Sequence, residues 1–551
     1  MSDAESTFNL IDEPWISVRT LRGDNEELSI AEVFEGAPGI ERLANDMPTQ
    51  DFAILRVLLA ILERSVVQDL DGDDDPIEVW SELWEAEELP LDTIGEYLQR
   101  WYHRFYLFDD EVPFMQVAGL EACNGGVSEI KKLILEQPDG LPLFSMKAAE
   151  GLERIPLNEA ARCLVHVHAF DPSGIKTGVS GDPSVKGGKS YPIGTGWAGR
   201  LGGIVVEGAN LRETLLLNLV LCDWRDIDTM LAFEDDLPVW ERPACVPGDE
   251  GRNPSGTADL FTWQTRKIRL VRSGEWVTGA VLSNGNKIET HNRQRFETMT
   301  TWRRSEAQEK KLKLPSVYLP YTHSASRAFW RGINAQIPER NFERGDAYQA
   351  AGNIRWVGEL TSAGQLDADT RVVLHAVGME YGVQSAVVSE LIDDRLRLSA
   401  YLVSAEGELA ASMVKSCLEA TDGAVGTYGR FARRLQLSVG GSTDQAAAAG
   451  AKARAEAYFE LGSMFRIWVS TIGSHTDLSA ARRSWHAQVA RLLTRLAQTL
   501  IARVDTKSIL GRSVETQRGK SAWVSAAGAE QAFLTQIRKE LPYSFDERPS
   551  E

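Results

Sequence analysis

Two stretches of the chain have spacings associated with phosphate chemistry, and both lie in one glycine run. Gly194-Thr195-Gly196-Trp197-Ala198-Gly199 matches G-x-G-x-x-G, the spacing of a strand-to-helix turn that lays backbone N–H groups against a pyrophosphate. That use needs a strand before it and a helix after it. Here Gly187, Gly188, Ser190 and Pro192 precede it, and Gly202 and Gly203 come after. Residues 183–190 read PSVKGGKS and end as a phosphate-binding loop ends, with Lys189 in the lysine position. Proline occupies the place of the first glycine, however, and has no N–H to donate. A nucleotide-using enzyme built on this loop is therefore an alternative reading and not the leading one.

Other chemistry is poorly supplied. His166 and His168 stand two apart, a spacing that puts two ligands on one strand face, but no third ligand lies near them in sequence. Cys123, Cys163, Cys222, Cys245 and Cys417 form no C-x-x-C pair, and they read as small buried hydrophobes in a reducing compartment. There is no H-E-x-x-H and no G-x-S-x-G. The residues thus suggest no catalytic group, no metal site and no cofactor.

The glycine run suits close approach instead. Ten of the thirty residues 174–203 are glycine, so the run cannot be a regular helix and reads as a long loop. Bare backbone can lie against phosphates or base edges, and the minor groove of DNA is only about 6 Å wide. Lys176, Lys186, Lys189 and Arg200 in this run face a single acid, Asp182, and are candidate phosphate contacts. A second basic stretch, 265–313, holds twelve Arg or Lys against five Glu. It includes Arg266, Lys267, Arg269 and Arg272 in strand-like alternation, then Arg293, Arg295, Arg303, Arg304, Lys310, Lys311 and Lys313. Such local excess matters because the whole chain carries −20, which excludes a free-standing, non-specific nucleic-acid binder.

The elements that must position these residues point to an α+β fold. At 551 residues the chain is too long for one ordinary core. A buried helix is expected over 51–67, with Asp51 as its N-cap. Tyr97, Trp101, Tyr102 and Phe105 fall on one side of a further helix, as core packing. Residues 211–221 read as a short apolar helix behind the glycine run. From 386 the pattern becomes helical, with segments near 386–420, 443–471, 476–505 and 523–540. Trp485, Val489, Leu492, Leu493, Leu496 and Leu500 form one stripe of period 3.6. The expected organisation is a large mixed α/β N-terminal domain, 1–385, followed by a C-terminal four-helix bundle with a polar tail, 386–551. No apolar run spans a membrane, and the polar start carries no secretory pattern, so a cytoplasmic protein is expected.

Five segments in order resemble a known family. They are NLIDEPWISVR (9–19), FYLFDDEVPFMQV (105–117), YPIGTGWAGRLGG with LRETLLLNL (191–219), DLFTWQTRKIRL (259–270) and GMEYGVQSA (378–386). Together they resemble the CasA family, the large subunit of the type I-E CRISPR surveillance complex, Cascade. The resemblance implies a non-catalytic subunit whose partners are the other Cascade subunits, the CRISPR guide RNA and double-stranded target DNA. It implies reading of the PAM, the short motif beside the target, from the minor-groove side, followed by local unwinding and recruitment of a helicase-nuclease. The implied contacts are a glycine loop at Ile193, Gly194, Thr195 and Gly196, a basic residue matched by Arg295, and a glutamine wedge at Gln384. A mobile loop would map to about 139–157, with Phe144 near its aromatic contact. A purely architectural, RNA-binding subunit is a further alternative.

Overall fold

The computed structural model describes residues 8–68, 70, 74–135, 152–223, 226–230, 235–249, 251–338, 347–515 and 521–544. The chain divides into two units. One runs to Phe329 and adds Pro338–Leu366 and Arg371–Leu396; the other takes Trp330–Ile337, Asp367–Thr370 and the chain from Arg397 onward.

The first unit is a mixed α/β body around the helix Pro48–Val67, nearly every residue of which is buried. Pro48 occupies its first turn, where a missing N–H costs nothing, so the helix begins three residues before Asp51. Asp51 is therefore not the N-cap. Its carboxylate instead accepts the backbone N–H and the side-chain amide of Asn45, both at 2.8 Å. The helix Leu157–Phe170 packs against Pro48–Val67, and His166 and His168 lie on it, not on a strand. Two residues apart on a helix diverge by about 200°, so they meet different partners. His166 bonds Thr49 Oγ1 at 2.9 Å, and His168 bonds the Met115 carbonyl at 2.8 Å.

Two antiparallel sheets flank this helical centre. Arg266–Ser273 pairs with Trp276–Asn284 along its full length. Gly203–Glu207 pairs with Arg371–Tyr381, which in turn pairs with Val388–Ser399. That last strand corrects the helix expected to open at 386. Val388, Ile392 and Leu396 are buried four apart, a spacing that serves one face of a helix or of a strand equally. Pairing with Arg371–Tyr381 decides for the strand, and the helix starts only at Glu408. The aromatic helix is also shorter than its stripe implied. It spans Leu91–Trp101, followed by a tight turn at Tyr102–Arg104, while Tyr97 and Phe105 remain in the core.

The second unit holds the four-helix bundle, Glu408–Ser438, Thr443–Ser470, Leu478–Ile501 and Ala526–Glu540. Sequence punctuates it clearly. Ser442 and Gln445 form a reciprocal capping box, and Asp477 and Ser525 cap the two later helices. Trp485, Val489, Leu492 and Leu493 of the apolar stripe are buried, and Trp485 stacks on Trp468 at 5.0 Å. Trp485 Nε1 donates to Thr421 Oγ1 at 2.9 Å, so its one polar atom is satisfied in the core.

Candidate nucleic-acid interface

The glycine run is two structures in succession. Its first half is a small hairpin in which Lys176–Thr177 pairs with Lys189–Ser190. Gly187 and Gly188 have φ of +58° and +71°, the left-handed pair that a two-residue hairpin turn requires. The PSVKGGKS sequence is thus a β-turn tip, with none of the strand–loop–helix geometry of a phosphate cradle. Lys186 and Lys189 flank this turn, and both are exposed. Lys176 is committed elsewhere; its Nζ pairs with Asp171 Oδ2 at 2.6 Å.

The second half, residues 193–196, is held from behind by two arginines. Arg200 donates to the carbonyls of Ile193 at 2.7 Å, Thr195 at 3.3 Å and Ile288 at 3.0 Å. Arg266, wholly buried, donates to the carbonyl of Gly194 at 2.9 Å and to Asp171 Oδ2 at 2.5 Å. With the carbonyls tied inward, only the backbone of Ile193 and Gly194 is left where a ligand can reach it. Ile193 and Gly194 are half-buried, whereas Thr195 and Gly196 are buried. Gly194 has φ of +102°, which an L side chain resists. Gly196 is glycine for a different reason: a Cβ there would overlap the Ala169 carbonyl, and its N–H donates to Asp171 O at 2.9 Å. Beyond Trp197 lies a three-residue turn, Ala198–Arg200, and not the helix a dinucleotide site needs. Trp197 anchors the end of the loop, its Nε1 donating to Glu297 Oε2 at 2.6 Å. Glu297 also takes a bidentate pair from buried Arg56, both bonds at 2.9 Å.

Gln384 sits in the turn between Arg371–Tyr381 and Val388–Ser399. Gln384 and Ser385 both adopt left-handed backbone, φ +58° and +54°, and the turn is closed by Gly382 N–H to Val387 O at 2.8 Å. Gln384 is exposed, and its neighbour Val383 is 89% exposed. The turn is moored to the same segment as the glycine loop. Ser173 N–H donates to Ser385 O at 2.8 Å, and Tyr381 Oη donates to Phe170 O at 2.6 Å. Residues 170–173 thus hold Gly194 and Gly196 through Arg266 and Asp171 on one side, and the Gln384 turn on the other.

Arg295 is half-buried, with its guanidinium 5.8 Å from the Phe296 ring, and Phe296 packs on the cluster containing Trp197. Phe144 lies outside the described residues, as does most of the loop expected at 139–157. Two residues of the basic stretch prove internal. Arg266 and Lys267 are both buried although they alternate along the strand, because both faces of Arg266–Ser273 are covered. Lys267 Nζ pairs with Asp182 Oδ2 at 2.7 Å, which also accounts for the one acid of the glycine run. Arg303, Lys310, Lys311 and Lys313 remain exposed. Sequence reasoning missed Asp171, Tyr381 and Val383. The signal for Asp171 was its place directly after the apolar helix Leu157–Phe170; Val383 showed only as an apolar residue in a turn.

Among the described residues no helix is long and apolar enough to cross a membrane, and no group of three His, Cys, Asp or Glu is placed to hold a metal ion. A family model described as CRISPR-associated protein Cse1 matches residues 9–496. The CRISPR-associated protein CasA/Cse1 of Thermus thermophilus is 31% identical over 379 residues, 67% of each chain. The crystal structure of Thermobifida fusca Cse1 superposes with a TM-score of 0.87 at 37% identity, covering 97% of this chain and 98% of that one. A chain of a CRISPR RNA-guided surveillance complex shares the fold, with a TM-score of 0.60 at 18% identity over 98% of this chain and 96% of that one. The chain belongs to the CRISPR-associated Cse1 family, also called CasA, the large subunit of the type I-E Cascade.

Proposed function

We propose that this chain reads the PAM of double-stranded DNA from the minor groove for an RNA-guided complex, opens the adjacent base pairs, and then recruits a helicase-nuclease, with no catalytic step of its own. The half-buried backbone of Ile193 and Gly194 faces base edges, with Thr195 and Gly196 buried behind it as support, and the Gln384 turn enters the duplex beside it. Lys186 and Lys189 reach phosphates, and Arg295 adds charge near the loop. The observation that carries this reading is the shared mooring of the two elements on residues 170–173. Reader and wedge fixed to one segment can act on neighbouring base pairs without reorganising. Unstacking one step costs a few kcal/mol, and R-loop formation is close to balanced, so a small rigid wedge can decide whether opening starts. An exposed amide beside an exposed valine suits that task, since one can bond a base edge and the other can replace a stacked base.

The test is a reconstituted complex on a duplex carrying a fluorescent base analogue next to the PAM. Gln384→Ala is expected to keep PAM-dependent binding and lose most of the fluorescence rise. Unchanged opening by that variant would remove the wedge from the reading.

A further inference from the structure

The strand that leaves the glycine loop, Gly203–Glu207, ends at a carboxylate, and the strand that leads into the Gln384 turn, Arg371–Tyr381, carries a buried histidine. His375 meets both neighbours of its strand. Its Nδ1 lies 2.7 Å from Glu207 Oε1, and its Nε2 lies 2.8 Å from Asp393 Oδ1 on the strand Val388–Ser399. A neutral imidazole has a single N–H, so two carboxylates at these distances require the ring protonated on both nitrogens. Arg395 completes the cluster. It donates to Asp393 Oδ1 at 2.7 Å and to Glu207 Oε2 at 3.1 Å, and its Nη2 stands 3.3 Å from His375 Nδ1. One imidazolium thus ties the three strands of this sheet together through their side chains.

The surrounding charges favour that state. Burial works against charge on His375, but the bonds to Asp393 and Glu207 outweigh it and raise the pKa, with Arg395 a smaller opposing charge. Burial would likewise raise the Glu207 pKa, yet His375 and Arg395 hold it down, so the proton between them belongs to the ring. Asp393 is lowered first by its bond to His375. Two further groups act on the ring from other elements. Asp51, on the helix Pro48–Val67, is raised to about 6 by burial and is a carboxylate above that pH. His323 is held at about 4 by burial and is neutral there.

We infer that charged His375 is a positioning residue for DNA opening: it locks the strand leaving the glycine loop to the strand bearing the Gln384 turn, and it releases that lock when Nδ1 loses its proton to water. The neutral ring keeps its Nε2–H on Asp393. Its bare Nδ1 then accepts from Arg395 Nη2 in place of holding Glu207, and Arg395 already lies beside both groups. Because the folded pKa is raised, the contribution of the lock is fully present below the unfolded value of about 6.5 and is lost as pH rises through the folded value. The inference rests on the reading of the Gln384 turn as the point where a duplex opens, whereas the lock itself is measurable without DNA.

The first measurement is an NMR pH titration of the whole chain with its histidines labelled at Cε1, the His375 signal being identified by its loss in His375→Gln. That signal is expected to titrate above about 6.5, and titration at or below this value would overturn the inference. Glu207→Gln supplies the second measurement, because an amide serves either form of the ring, accepting from Nδ1–H or donating to bare Nδ1. Relative to this variant, the parent is expected to lose about 2–4 °C of thermal midpoint as pH rises through the His375 value. In the assembled complex the same rise in pH is expected to reduce opening by the parent, with PAM-dependent binding kept, and to spare opening by Glu207→Gln. Parallel pH curves for parent and variant, in midpoint or in opening, would overturn the inference. Gln384→Ala in the opening assay tests the turn separately, so failure of the lock and failure of the turn give different results.

Discussion

The guanidinium of Arg266 donates to the carbonyl of Gly194 at 2.9 Å while its Nε holds Asp171 at 2.5 Å. One buried side chain therefore fixes both the glycine loop and the segment on which the Gln384 turn is moored. Replacing it with an apolar residue leaves Asp171 with Lys176 alone inside the protein. Arg266→Leu is expected to cost about 3–5 kcal/mol, the range for breaking a buried pair from one side. Urea unfolding measures this directly, and a loss below about 1 kcal/mol would show that the pair is not the clamp described.

Gly194 and Gly196 should respond differently to the same added methyl group. At Gly194 the new Cβ meets the Arg200 guanidinium, so the loss of its bond to the Ile193 carbonyl adds to about 1–2 kcal/mol of left-handed backbone. At Gly196 it meets the Ala169 main chain, which cannot step aside without moving the helix Leu157–Phe170. Gly196→Ala is expected to lower the thermal midpoint more than Gly194→Ala. The reverse order would mean that the loop lies elsewhere.

The Gln384 turn stores strain that glycine would release. Gln384→Gly is expected to raise stability by about 1 kcal/mol while removing the amide that acts on DNA. Denaturation and target opening, measured on the same variant, should move in opposite directions. A variant that is both more stable and fully active would detach the strain from the function.

Glu63 and Asp236 form a buried acid pair. Burial first, and then the charge and hydrogen bond of Asp236, push the Glu63 pKa well above its ordinary value. Asp236 spends its carboxylate on the N–H groups of Ala258 at 2.9 Å and Asp259 at 2.8 Å, so the shared proton belongs to Glu63. Because the folded pKa is raised, this contribution is fully present below the unfolded pKa of about 4.3 and is lost as pH rises through the folded value. Glu63→Gln keeps the donor at every pH. It is expected to be more stable than the parent at neutral pH and to flatten the fall in thermal midpoint above pH ~5. Parallel curves for parent and variant would refute the pair.

The lysines of the hairpin divide by their partners. Lys186→Gln and Lys189→Gln remove charges at the turn and should leave stability within about 0.5 kcal/mol. Each should reduce the salt slope of duplex binding by the assembled complex by about 0.9 if it touches a phosphate. Lys176→Gln, by contrast, breaks a pair with buried Asp171 and should lower the unfolding midpoint. Stability loss in the first two variants, or none in the third, would reverse this division.

The sequence by itself determined what can be read from one element at a time. The bundle helices announced themselves through the period of Trp485, Val489, Leu492 and Leu493, and through Ser442, Asp477 and Ser525 at their starts, because period and caps are local properties. The glycine run likewise declared itself as a loop, since glycine penalises a helix wherever it stands. The family was legible too, from short segments in order. Tertiary structure alone decided which charges face solvent. Arg266, Lys267 and Lys176 look in sequence like Lys186 and Lys189, yet the first three are matched to Asp171 and Asp182 by the folding of the chain. It also decided that 388–399 is a strand, since a four-residue spacing satisfies both periods until a partner strand is beside it. The common mooring of Gly194 and Gln384 on residues 170–173 has the same cause: contacts between residues far apart in sequence leave no mark on the spacing of either.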